Sequence, residues 1–68
     1  MNEDALNMSL RKFLKKVGIT AQREIEAAIR SAVAAGQLAG TETLPVQVKL
    51  ELGKLGLAVT IDGDIALE

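Results

Sequence analysis

The chain has 68 residues, a net charge of −1 and no cysteine, histidine, tyrosine or tryptophan. One small domain is the most this length supports, and size scaling predicts burial of about 60% of its unfolded surface. The missing residue types exclude a disulfide framework, a thiolate nucleophile, most zinc sites and the usual general base near neutral pH.

The first predicted element runs from about residue 3 to 17. Leu6, Leu10, Phe13, Leu14 and Val17 recur at the spacing of one helical face. Asn2 is placed to cap it, with Glu3 and Asp4 in the first turn, where the helix dipole favours negative charge. Gly18 reads as a left-handed stop. Thr20 then reads as the N-cap of a second helix over about 21–35, with Ile25, Ala28, Ile29, Ala32 and Val33 as its apolar stripe and Gly36 as its end. Small residues at Ala27, Ser31 and Ala34 leave its outer side smooth enough for another helix to approach.

After Gly36 the period changes to two. Pro45 suits the start of a strand, and Val46, Val48, Leu50 and Leu52 alternate with polar residues, predicting a strand over about 45–52. "GKLG" (53–56) connects it to a second strand over about 57–67, carried by Leu57, Val59, Ile61, Ile65 and Leu67. Closing that loop sets Leu50 opposite Val59 and Val48 opposite Ile61, with all four on one face. "DG" at 62–63 offers a competing turn, but it would mix apolar and polar faces; Gly63 is better read as a bulge in one long strand. A two-stranded hairpin must cover its apolar face, and the helices are the cover available. The expected fold is α+β, order α-α-β-β, in one domain over residues 1–68.

The strongest charge cluster is "RKFLKK" (11–16), where Arg11, Lys12, Lys15 and Lys16 form a basic arc suited to an acidic protein or another polyanion. A solvated face that complements the helix dipole explains the same residues. In a helix-turn-helix reading, Gln22, Arg23 and Arg30 would enter a groove of DNA and Lys54 would tip a wing. Glu24 and Glu26 oppose that reading, a third helix is missing, and the overall charge is not basic, so nucleic acid is disfavoured. Asp62 and Asp64 share one strand face but lack the spacing of a calcium loop. No cofactor, metal or catalytic residue is expected, and no enzyme activity.

The last predicted strand outruns its partner near Ile65 to Leu67, so either Leu44 lies beside these residues or a second copy pairs edge to edge with the hairpin; a homodimer is the leading interaction expected. The acidic N-terminus lacks the features of a secretory signal, and no apolar run reaches the roughly 20 residues that span a bilayer, so a cytoplasmic protein without membrane contact is expected. The stretches "NEDALNMSLRKFLKKVGITAQREIE" (2–26) and "GQLAGTETLPVQV" (36–48) resemble a family of short, uncharacterised bacterial proteins, a resemblance that implies no activity. Leu67 and Glu68 match the residues of a common cloning junction. The sequence points to a small non-catalytic module that binds protein, with a winged-helix-like nucleic-acid module as the alternative.

Overall fold

The computed structural model describes residues 1–68 in the order α1 (Glu3–Ala34), β1 (Thr43–Leu52), a short 3-10 turn (Gly53–Leu55) and β2 (Leu57–Ala66). The expected pair of helices is therefore corrected to one helix of 32 residues, and α-α-β-β to α-β-β.

Gly18 lies inside the helix and keeps a negative φ; the glycines with positive φ are Gly36, Gly40 and Gly56. The energetics favour this outcome. A glycine in a helix interior costs about 1 kcal/mol relative to alanine, whereas a break there would leave four carbonyls and four amides without intrahelical partners. Thr20 therefore sits mid-helix and caps nothing. On its C-terminal side the helix gains local support: the Gln22 side-chain amide donates to Glu26 at 2.9 Å, and Glu26 pairs with Arg30 at 3.6 Å.

The two ends of α1 follow their capping chemistry. Asn2 is extended, and its Oδ1 accepts the Ala5 amide at 3.0 Å. At the other end Gly36 adopts φ 78°. Its amide donates to Val33 and that of Gln37 to Ala32, at 3.1 and 2.9 Å, the paired bonds of a left-handed glycine stop.

β1 and β2 form a two-stranded antiparallel sheet paired without interruption from Thr43↔Ala66 to Leu52↔Leu57. Leu50 faces Val59 and Val48 faces Ile61, as the alternation requires. Gly63 pairs with Val46 in the regular ladder, so the expected bulge is absent. The two strands have equal length, and Leu44 and Thr43 take up Ile65 and Ala66. The overhang that motivated edge pairing is thus filled from within the chain. At the tip, Gly56 is left-handed at φ 66° and its amide donates to Gly53.

Two compact units result, Met1–Gln37 and Leu38–Glu68. Neither contains a buried residue. In the first, Leu6, Leu10, Phe13 and Leu14 are 40–56% exposed. In the second, Val48, Val59 and Ile61 are 39–53% exposed on the face where the alternation gathers the apolar side chains.

Candidate functional site

Arg11, Lys12, Lys15 and Lys16 all lie on α1 and are exposed. At about 100° of rotation per residue they fill an arc of roughly 140° on the side of the helix away from Leu6, Leu10, Phe13 and Val17. The single long helix thus brings the four basic residues together as the sequence suggests. None of them has a carboxylate within ion-pair distance; the ion pair of the helix is Arg30 with Glu26.

The four candidate nucleic-acid contacts fare differently. Gln22 and Arg30 both turn to Glu26, so two of them converge on a carboxylate that would repel phosphate. Arg23 is exposed on the same unbroken helix, and Lys54 belongs to the separate hairpin unit. With no corner between two helices, there is no recognition helix to present Gln22, Arg23 and Arg30 to a groove.

Asp62 and Asp64 stand opposite Gln47 and Pro45 on the polar side of the hairpin. No three carboxylate, histidine or cysteine side chains come together as a metal site would require. No helix is long and apolar enough to cross a membrane.

A groove that the sequence reading missed runs along α1. It is shallow, open and apolar, and is lined by Phe13, Lys16, Val17, Thr20 and Ala21. It spans the very residues where a helix break is expected from the sequence. Only an unbroken helix places Phe13 and Val17 in line with Ala21, so the signal for it lay in the spacing across Gly18.

Glu42 is a second feature that the sequence did not disclose. Its carboxylate accepts the amides of Ala39 and Gly40 at 2.9 Å and of Thr41 at 3.1 Å. Its own carbonyl accepts the Leu67 amide at 2.9 Å, which closes the open end of the hairpin. Hydrogen bonding from the Ala39 amide, then from the neighbouring backbone amides, holds the Glu42 carboxyl below its ordinary value of 4.5. The carboxylate is engaged in ordering its own loop.

Residues 1–68 match the model of a family described as "Family of unknown function (DUF6494)". The chain matches no curated protein and no solved structure.

Proposed function

The chain belongs to this family of unknown function, and we propose that it works without catalysis, as a module that binds protein through its apolar faces. One observation carries the reading: neither the helix nor the hairpin buries a single residue, although 49% of the chain is hydrophobic. Ordering 68 residues costs about 100 kcal/mol at ~1.5 kcal/mol each, and apolar burial is the main term that offsets it. Each unit taken by itself has an open apolar face, and such a face needs protein cover to complete that balance.

The basic arc of Arg11, Lys12, Lys15 and Lys16 supports the same role. It lies off the apolar side, where rim charges steer a partner more than they bind it. An acidic protein surface fits it. The composition supports a non-catalytic role, because histidine, cysteine and tyrosine are absent, and the carboxylate held by most hydrogen bonds, Glu42, is committed to its loop.

The test is an amide NMR titration of isotopically labelled chain with an extract of its own cells. Broadening at Leu10, Phe13, Val17, Val48 and Ile61 that disappears once the extract is treated with protease is the expected result. Changes that survive protease but vanish with nuclease would replace this reading with nucleic-acid binding. An unchanged spectrum from a chain shown to be a monomer would overturn it.

A further inference from the structure

The phase of the hairpin ladder fixes which backbone groups are spent between its strands. The Leu67 amide donates to the Glu42 carbonyl, and these residues stand directly opposite in the register that pairs Thr43 with Ala66. In an antiparallel ladder such bonded pairs alternate with pairs whose N–H and C=O groups point away from each other. The bonded pairs therefore continue through Val48–Ile61 to Leu52–Leu57. The residues between them direct their backbone outward: Pro45, Gln47 and Lys49 among them on β1, and Thr60, Asp62 and Asp64 on β2. The sheet has no third strand, and these outward groups have no hydrogen-bond partner within the chain.

The two edges differ. Pro45 brings no N–H to its outward position on β1, where a proline costs no ladder bond and interrupts pairing with any further strand. β2 contains no proline, and every residue from Leu57 to Asp64 is exposed. We propose that β2 pairs, antiparallel and edge to edge, with β2 of a second copy of this chain, giving a sheet in the order β1-β2-β2-β1. This pairing rests on the reading of the chain as a protein-binding module and names its first partner. The open backbone of β2 carries it, not an overhang of one strand past the other.

Charge selects the register. Outward residues must face outward residues, so the two-fold axis passes through a residue of β2. Centred on Ile61, the pairing runs from Leu57 opposite Ile65 to Ile65 opposite Leu57, almost the whole strand. Asp62 then faces Thr60 of the other copy and Asp64 faces Ala58, so no acid stands opposite an acid. Centred on Asp62, that carboxylate would oppose its own copy; centred on Gly63, Asp62 would oppose Asp64. Centred on Thr60, the overlap shortens to Leu57–Gly63. In the chosen register the two copies of Asp62 lie on a diagonal, ~7–8 Å apart, a repulsion that salt screens. On the other face Ile61 meets Ile61, Val59 meets Gly63 and Leu57 meets Ile65, so the apolar side continues across the junction. Roughly eight backbone hydrogen bonds form between the copies. A two-stranded ribbon that is marginal alone becomes a four-stranded sheet with one apolar face.

The test uses the full chain, followed by sedimentation velocity across concentration. The unmodified chain is expected to double its mass as concentration rises. Thr60→Pro removes an outward N–H from β2, and Lys49→Pro removes the one directly across the hairpin on β1. Neither breaks a ladder bond. Thr60→Pro should weaken the dimer about a hundredfold, since each copy loses a backbone bond at the junction, and Lys49→Pro should leave it intact. A dimer that survives Thr60→Pro, or a chain that stays monomeric, would overturn the proposal. Cysteine variants give a version free of strand damage by proline, because the chain has no native cysteine. Ile61→Cys is expected to cross-link to itself on oxidation, at a Cα separation of about 4.5 Å across the axis. Val48→Cys, opposite Ile61 on β1, should not. Cross-links from Val48→Cys would mean contact through β1 or through the apolar face, and would equally overturn the proposal. Should the chain prove monomeric while protease-sensitive broadening in cell extract persists, the protein-binding role stands and self-pairing through β2 falls.

Discussion

The helix and the hairpin meet the same requirement by opposite means. Within α1 the backbone is satisfied by residues four apart, and the ends are closed by Asn2 and Gly36. The hairpin depends on pairing residues up to 23 apart, from Thr43 to Ala66, and its open end is closed by the carbonyl of Glu42, whose carboxylate orders the loop before it. Both units close their own ends by hydrogen bonds, yet each by itself leaves an apolar side exposed. Hydrogen bonding explains the shape of each unit and does not by itself supply its stability. What differs is the form of the uncovered side. The hairpin offers a flat ribbon fixed by a period of two, and the helix offers a seam that drifts slowly around its axis.

The comparison breaks most sharply at the hairpin ribbon. Ile61→Asp places a charge opposite Val48, on the face that protein is proposed to cover. A loss of about 2–3 kcal/mol is expected from a charge on that apolar side, read as a lower denaturation midpoint with loss of strand signal. An unchanged midpoint would mean that this face stays in water.

The two helix glycines should respond with opposite signs. A Cβ at Gly18 would meet nothing within 4 Å, and φ there is negative, so Gly18→Ala should stabilise by about 1 kcal/mol. Gly36 is equally unobstructed but left-handed, so Gly36→Ala should destabilise by about 1 kcal/mol. Thermal unfolding of both variants checks the pair, and a destabilising Gly18→Ala would restore a helix break at that position.

At the base of the hairpin, pH supplies the lever. The Glu42 carboxyl is depressed in the folded chain, so its contribution is present above the ordinary carboxylate value and is lost as pH falls through the lowered one. Protection of the Ala39, Gly40 and Thr41 amides relative to the unfolded chain at the same pH should fall over that acid range, and Glu42→Gln should lower it already at neutral pH. The smallest effect is expected within the ladder. A Cβ on Gly63 would lie 3.6 Å from the Val46 side chain, an ordinary contact, so Gly63→Ala should stabilise by a few tenths of a kcal/mol, measured by denaturant titration.

These residues also explain how much of the molecule is legible in its sequence. The hairpin register follows from a strict period of two, because a slip of one residue would turn Val48 and Ile61 to the polar side. The caps at Asn2 and Gly36 are equally local. Gly18 misleads because its residue type marks a stop, whereas the decision depends on the neighbours. "ITAQREIE" after it continues a helix, while "QLAGTE" after Gly36 does not. The basic arc of Arg11, Lys12, Lys15 and Lys16 is legible, since all four fall within two turns. The groove along α1 is not, because Phe13, Val17 and Ala21 lie on both sides of the expected break. Glu42 is hidden for another reason: the amides that it gathers come together only once the Ala39–Thr41 loop has folded.

The most direct test of protein cover on α1 is amide hydrogen exchange of the labelled chain with and without an extract of its own cells. Protection across Leu10–Ala32 is expected to rise in the extract and to fall back once the extract is treated with protease. Equal protection with and without extract, in a chain shown to be monomeric, would contradict protein cover on this helix.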